Sequence, residues 1–266
     1  MTIYETILNG RPLRGPFIDV HGHFGPWPET VIPHAMDEGR VIAEMDRYGC
    51  DMVWMTASNP GYSGDISEKN DFVFDFADKY PDRIIPYCVL SANTPERNVA
   101  ELRRCLARGR GIGVKMHVYR QPEYTMRSDF LQPVLEILSE HRLVYMNHGY
   151  PNLPDLEWAL QRYPDVTFIG GHFSPDYYRP VLGYPNFKDC TCAAQMYDAV
   201  GCEVRQAGTS DHLLVGSDFS LFQLGFGVGM IAYTDMPEED KENILGRNAL
   251  KLLERTRWFE RGMIGK

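Results

Sequence analysis

The stretch Phe17-Ile18-Asp19-Val20-His21-Gly22-His23 joins a short apolar run to a His-x-His motif. Successive side chains of a strand alternate between its two faces, so His21 and His23 point to the same side if the run forms a strand. Two ring nitrogens on one side can hold one metal ion between them, which makes half of a metal site. The remaining ligands must then come from residues elsewhere in the chain.

Further short apolar runs follow the first at regular intervals, and the stretches between them carry apolar residues near the helical period, such as Phe72, Phe76 and Tyr80. The runs are 17–20, 52–55, 84–89, 112–116, 143–146, 166–169, 189–193 and 213–215. Strands that alternate with helices indicate a parallel sheet, and eight such units in about 250 residues match a (β/α)8 TIM barrel.

The domain organisation is predicted to be simple. No composition break or low-complexity linker divides the chain, so we expect one α/β domain, a (β/α)8 barrel over residues 1–266. Residues 237–257 are predicted to form the last helix, packed against the barrel through Ile244, Leu245 and Leu252. The glycine-rich run 225–229 does not join a strand directly to a helix as a dinucleotide loop does, and it is interpreted as a flexible loop over the site.

Composition excludes several classes of partner. The chain has 266 residues and a formal net charge of -9, and it carries no basic stripe, which argues against nucleic acid. No apolar stretch approaches the roughly 18 residues of a membrane span, and no signal sequence is evident, so we expect a soluble cytoplasmic protein. The six cysteines, including the Cys-x-Cys of Cys190 and Cys192, are interpreted as buried free thiols.

Histidine, lysine and aspartate side chains gather at the predicted strand ends. They are His21 and His23 at the first run, Lys115 and His117 at the fourth, His148 at the fifth, His172 at the sixth and Asp218 at the eighth. In barrels of this kind the catalytic groups lie where strands end and loops begin. Because all seven residues fall at one rim, we predict an open metal site there.

On these residues the chain resembles the amidohydrolase superfamily, and within it the amidohydrolase-related branch that includes hydrolases and metal-dependent decarboxylases. The matching motifs are Asp19-Val20-His21-Gly22-His23, Gly113-Val114-Lys115-Met116-His117, Asn147-His148-Gly149, Gly170-Gly171-His172, Gly216-Ser217-Asp218 and Gly246-Arg247-Asn248-Ala249. The resemblance implies that His21, His23 and His148 bind one divalent ion, usually zinc, with manganese as the alternative. It also implies that Asp218 completes or closely approaches that ligand set, and that His172 stands beside bound water or substrate.

Lys115 matches a position that is carboxylated and bridges two metals in the binuclear members of the superfamily. The branch that this chain resembles is mostly mononuclear, so the resemblance implies a single ion and a plain lysine cation. A second metal and the role of His117 stay open.

The expected chemistry follows from the ion. A divalent metal brings the pKa of bound water to about 7, Asp218 can accept the water proton, and His172 can polarise a carbonyl. Our leading expectation is therefore a hydrolase of a small, carboxylate-bearing amide, lactone or related substrate. The alternative is a non-oxidative, metal-dependent decarboxylase or lyase of a small aromatic or enoic acid, in which a histidine or aspartate supplies the proton that replaces carbon dioxide. A non-catalytic barrel that binds metal or ligand is a further alternative.

Aromatic residues and two arginines in the loops after the strands favour a small-molecule substrate with a carboxylate, which guanidinium binds in a bidentate manner. These residues are Phe24, Trp27, Asn59, Tyr119, Arg120, Tyr150, Tyr177, Tyr178, Arg179, Phe219 and Phe222. Lids and subunit contacts are the competing interpretations of such loops, so a homo-oligomer stays open.

Overall fold

The computed structural model describes residues 1–25, 37–58, 65–117, 122–256 and Trp258. Its centre is an eight-stranded sheet in which parallel strands pair in chain order. The strands are β1 (Ile18–Phe24), β2 (Met52–Ala57), β3 (Ile84–Val89), β4 (Gly113–Met116), β5 (Val144–Asn147), β6 (Thr167–Gly170), β7 (Phe187–Cys190) and β8 (Leu213–Leu214). Each predicted apolar run overlaps one of them, and the predicted (β/α)8 TIM barrel is confirmed.

The barrel is nearly closed between its first and last strands. The Val20 N–H donates to the Val215 carbonyl oxygen at 3.0 Å, and Gly22 forms a parallel bridge with Phe219. Against β2, the register of β1 shifts between Asp19 and Gly22. Such an irregularity re-aims side chains next to a site, and here it lies directly on the His-x-His motif.

Helices cover the outside of the barrel. They are α1 (Ile3–Leu8), α2 (Glu38–Tyr48), α3 (Ile66–Lys79), α4 (Asn98–Ala107), α5 (Gln132–Glu140), α6 (Leu153–Arg162), α7 (Pro175–Tyr178), α8 (Ala199–Ala207), α9 (Leu224–Ala232), α10 (Glu238–Glu242) and α11 (Asn248–Arg255). The start of α2 shows how the sequence sets their limits, since the Asp37 side chain accepts the Arg40 N–H at 2.8 Å. The helix ends at Gly49, whose φ of 70° is the left-handed conformation that glycine adopts readily.

The barrel interior is filled by apolar side chains below the mouth. Val20, Trp54 and Tyr87 are almost completely buried there, and Leu253 and Trp258 from the end of the chain pack against the same cluster. The predicted last helix is interrupted, because α10 and α11 are joined by a π-helical turn at Asn243–Arg247. Its apolar face is nevertheless buried as expected.

The predicted flexible loop at 225–229 is wrong, since this segment belongs to α9. Its glycines serve close packing instead. A Cβ atom on Gly227 would lie 2.8 Å from the Ser217 Cβ, and one on Gly225 would lie 2.5 Å from the Tyr48 hydroxyl oxygen. The helix therefore packs directly on the segment that carries Asp218.

All six cysteines are free thiols, and only Cys202 is exposed, so the expectation of buried thiols holds for the other five. Among the described residues, no helix is long and apolar enough to cross a membrane.

Candidate metal centre

The predicted site residues meet at the carboxyl ends of the strands. His21 and His23 lie in β1 and Lys115 in β4, while His117 and His148 directly follow β4 and β5. His172 follows β6 by two residues, and Asp218 follows β8 by four. Ring contacts, ion pairs and the contact between Lys115 and His23 connect all seven side chains, so the predicted residues share one rim.

The centre of this cluster is formed by His21, His23 and Asp218. Asp218 Oδ1 lies 2.9 Å from His23 Nε2 and 3.4 Å from His21 Nε2, and one ligand atom from each residue lies within 4.8 Å of the other two. The His21 Nε2 atom is buried and makes no hydrogen bond to any residue that the structure describes. Because buried polar atoms are normally satisfied, this nitrogen and its neighbours fit a metal ion.

Hydrogen bonds to the opposite ring nitrogens orient both histidines. His21 Nδ1 lies 2.8 Å from the Gly171 carbonyl oxygen, which can only accept, so this nitrogen carries the proton and Nε2 presents its lone pair. His23 Nδ1 lies 2.9 Å from the Thr56 hydroxyl oxygen, which leaves its Nε2 facing Asp218. Both rings are thereby held in the orientation that metal binding needs.

Asp19 fixes the backbone around the ligands, a role that sequence reasoning missed. Its carboxylate accepts the His21 N–H at 2.9 Å, the Ser217 N–H at 3.2 Å and the Ser217 hydroxyl. Asp218 itself has a φ of 60°, a left-handed conformation that aspartate tolerates. The signal in the sequence was a charged residue inside the apolar run 17–20, since such a residue is buried only when it is paired.

Charges around Asp218 keep it ionised. Burial alone would raise its pKa, but His21, His23 and Lys115 more than offset this and hold the pKa well below its usual value. Burial also lowers the pKa values of His21 and His23, which favours the neutral form of each ring, the form that binds metal. The Lys115 ammonium is almost completely buried and lies 3.2 Å from His23 Nε2. Burial lowers its pKa to about 8.

The remaining histidines form a stack beside this group. The His148 ring lies 3.8 Å from the His117 ring and 3.7 Å from the His172 ring, measured between centroids. Of the predicted ligands, His148 is the one that the structure does not bring into the three-residue group. Burial lowers the pKa of His172 to about 4, so this ring is neutral at neutral pH.

A second group of possible ligands adjoins the first. His21, His172 and Cys192 each offer one atom within 4.8 Å of the other two. Sequence reasoning interpreted Cys192 as a small buried side chain, because no second cysteine pair accompanies the Cys-x-Cys motif. In the structure it lies two residues beyond β7. The available signal in the sequence was its place near the end of the predicted run 189–193.

Among the residues that the structure describes, more than half of the predicted aromatic rim is buried in the protein. Trp27, Asn59, Tyr119 and Arg120 lie outside the described residues. The side chains that are buried in the core are Phe24, Tyr150, Tyr178 and Phe219. Arg179 pairs with Asp176 at 2.9 Å and bonds to Gln206 at 2.8 Å, so it faces other protein groups. Tyr177, Arg179 and Phe222 are the exposed rim residues among those described.

Comparison with known proteins identifies the family. The family model for amidohydrolases matches residues 18–255. The comparison with curated protein sequences found no match.

Several solved structures share the fold. The 5-carboxyvanillate decarboxylase of Novosphingobium aromaticivorans, complexed with manganese and 4-hydroxy-3-methoxy-5-nitrobenzoic acid, is 17% identical, with a TM-score of 0.69 over 90% of this chain and 96% of that one. The 2,6-dihydroxybenzoate decarboxylase from Rhizobium is 16% identical, with a TM-score of 0.71 over 91% and 99%. A Staphylococcus aureus protein assigned to the amidohydrolases is also 16% identical, with a TM-score of 0.70 over 90% and 99%.

The leading expectation of a hydrolase is wrong. The structural neighbours of this chain are mostly decarboxylases, of carboxyvanillate and of dihydroxybenzoate. The error has a physical origin, since a divalent ion on histidine and aspartate ligands can either activate water or hold the oxygens of a substrate. The types of ligand therefore do not favour hydrolysis over decarboxylation.

Proposed function

Because the chain belongs to the amidohydrolase family, we propose that it is a metal-dependent, non-oxidative decarboxylase of a small aromatic or enoic carboxylic acid. The observation that carries this proposal is the position of the Lys115 ammonium. It is buried beside the His21–His23–Asp218 group, and its Nζ lies 3.2 Å from His23 Nε2. With a divalent ion in place, the positive charge of this pocket exceeds the single charge of Asp218. Such a pocket favours a substrate with a carboxylate and a second anionic oxygen.

His21, His23 and Asp218 would hold the ion, and His148 would complete the set from the neighbouring stack. The ion supplies a positive centre that holds substrate oxygens and withdraws charge from the reacting carbon. We propose manganese as the resident ion, because the similar 5-carboxyvanillate decarboxylase is complexed with it, and imidazole and carboxylate donors accept manganese.

In the proposed reaction the carbon–carbon bond to the carboxylate breaks, carbon dioxide leaves, and a proton takes its place on the carbon. We assign delivery of this proton to His172, whose neutral ring would take it up from solvent and pass it to the carbon. Asp218 is engaged by two histidines, whereas His172 Nε2 makes no hydrogen bond within the described part of the chain. Lys115 would bind the carboxylate before bond cleavage.

The direct test is turnover of manganese-loaded protein on a panel of hydroxybenzoic and enoic acids. We expect release of carbon dioxide, with one solvent deuterium on the product carbon when the reaction runs in D2O. A parallel panel of lactones and amides, followed by alkali consumption, tests hydrolysis. Hydrolysis without release of carbon dioxide would overturn the proposal.

A variant at Lys115 tests the observation that carries the proposal. Lys115→Met keeps most of the volume of the side chain and removes its charge. We expect manganese content to stay near that of the wild type, while kcat/KM for the carboxylate substrate falls by about 10²-fold or more. Lys69→Met, in a partly buried lysine of α3, is the matched control and should change neither value. Equal kcat/KM values for Lys115→Met and wild type would remove Lys115 from the substrate site.

A further inference from the structure

We propose that Cys192, His21 and His172 form a second ligand set, which binds a thiophilic divalent ion such as zinc or cadmium in place of the ion on His21, His23 and Asp218. This inference concerns the choice of ion and goes beyond the proposed reaction. It rests on three side chains from three different strand ends, β1, β6 and β7, that meet at the mouth of the barrel.

The geometry of this set suits coordination. One atom from each residue lies within 4.8 Å of the other two, compared with about 3.3–3.8 Å between donors around a tetrahedral ion with bonds of 2.0–2.3 Å. Cys192 and His21 are completely buried. The Nε2 atoms of His21 and His172 are both buried without a hydrogen bond to the residues that the structure describes. Two unsatisfied nitrogens therefore face a buried sulfur.

A backbone contact holds the cysteine and the second histidine together. The Phe173 N–H donates to the Cys192 carbonyl oxygen at 2.8 Å, which joins the residue after His172 to Cys192 itself. On the other side, the Gly171 carbonyl oxygen accepts from His21 Nδ1 at 2.8 Å. The segment Gly171–Phe173 is thus bound to both other members of the set, so the three donors keep their relative positions.

The two ligand sets exclude each other because they share one atom. The Nδ1 of His21 is engaged by Gly171, which leaves only Nε2 for a metal in either set. Each set then offers two imidazoles and one anionic donor, a carboxylate in one and a thiolate in the other, since a coordinated thiol loses its proton. The sets are alike in charge and differ in softness. Thiolate selects zinc and cadmium, whereas carboxylate suits manganese.

The two ligand sets should differ in the ion that they prefer. Manganese is expected beside Asp218, while cadmium or zinc is expected beside Cys192, where it also occupies His172. A thiophilic ion should therefore compete with manganese through the shared His21, although it does not bind Asp218 or His23.

The test is a cadmium titration of the metal-free, full-length protein, followed by the near-ultraviolet absorption of sulfur-to-cadmium charge transfer. We expect this absorption to saturate at about one ion per chain and to be absent in Cys192→Ser, with at least a tenfold loss of cadmium affinity. Manganese affinity of the same variant should stay within about twofold of wild type. Cys202→Ser, which removes the exposed cysteine of α8, is the control and should leave the absorption unchanged.

The reciprocal variant separates the two sets. Asp218→Asn should weaken manganese binding at least tenfold and keep the cadmium absorption. Persistence of the absorption in Cys192→Ser, or its loss in Cys190→Ser with Cys192 intact, would overturn the proposal.

X-ray absorption of the zinc-loaded wild type provides a test that requires no variant. We expect one sulfur neighbour at about 2.3 Å, and a spectrum with nitrogen and oxygen neighbours alone would contradict the assignment. None of these readouts depends on turnover, so failure of the decarboxylase proposal would leave them unaffected.

Discussion

The Asp19 carboxylate accepts hydrogen bonds from both the backbone N–H and the hydroxyl of Ser217, a residue 198 positions later in the chain. Through the same carboxylate, Asp19 also accepts the His21 N–H. One buried side chain therefore links the strand that carries His21 and His23 to the segment that carries Asp218. Residues that orient metal ligands in this way affect metal affinity without touching the ion.

Replacing Asp19 should therefore weaken metal binding as well as stability. We expect Asp19→Ala to lower manganese affinity about 10- to 100-fold and the free energy of unfolding by roughly 1–3 kcal/mol, since it leaves buried donors unsatisfied. Asp19→Asn, which keeps an acceptor oxygen, should recover part of both losses. Isothermal titration and chemical denaturation measure the two effects.

The control for Asp19 is Asp37→Ala, which removes the exposed cap of α2. This change should cost about 1 kcal/mol of stability and leave manganese affinity unchanged. Parallel losses in both variants would show that Asp19 acts on stability alone.

The amount of bound manganese should depend on His21 and His23. The double variant His21→Ala and His23→Ala is expected to retain under a tenth of an equivalent of manganese, compared with about one ion per chain in the wild type, because each ring supplies one nitrogen to the same ion. His148→Ala should lower manganese affinity and turnover together if His148 completes the set. Metal analysis after dialysis provides the measurement, and His141→Ala in an exposed histidine is the control. Full metal content in the double variant would refute the site.

His172 and Asp218 should differ in what they contribute. We expect His172→Asn to keep about one manganese ion per chain and to lose about 10²- to 10⁴-fold in turnover, the usual effect of removing a proton carrier. Asp218→Asn should instead lose manganese affinity, since it removes the anionic donor of a three-residue group, and excess manganese should restore part of its activity. Steady-state kinetics at several manganese concentrations distinguish the two patterns. Near-native turnover of metal-replete His172→Asn would show that a group other than His172 delivers the proton.

The stability of the barrel should depend on pH through His212. This ring is buried and its Nε2 lies 3.2 Å from Glu203 Oε1. Burial and, to a smaller degree, the charge of Lys188 lower the pKa of His212 to about 4, although Asp211 opposes the shift. In the unfolded chain the His212 ring therefore takes up a proton near pH 6.5, whereas in the folded protein it does so only near pH 4.

Stability should accordingly be complete above pH 6.5 and fall as the pH is lowered towards 4, with a contribution from His212 on the order of 2–3 kcal/mol. Denaturant titrations of wild type and His212→Gln at pH 7 and pH 4.5 measure this contribution by difference, which removes the effect of the other histidines. We expect the smaller loss of stability in His212→Gln. An equal loss in both proteins would show that His212 takes up its proton normally in the folded state.

Apolar periodicity was sufficient to predict the barrel and the ends of its strands, because alternation and helical spacing are local properties of the chain. The same alternation placed His21 and His23 on one side of β1. Strand ends also identified the rim to which Lys115, His148 and Asp218 belong. The barrel fold and the set of candidate site residues could therefore be predicted from the sequence alone.

Only the tertiary structure decided which of those residues meet within bonding distance. Closure of β8 onto β1 brings Asp218 against both histidines, whereas His148 stacks between two other rings. Cys192 joins His21 and His172 because Phe173 bonds to its backbone. Such distances depend on barrel closure, side-chain rotamers and contacts between segments far apart in the chain. Periodicity specifies the side of a strand on which a residue lies, and packing sets the few ångströms that determine whether it binds an ion.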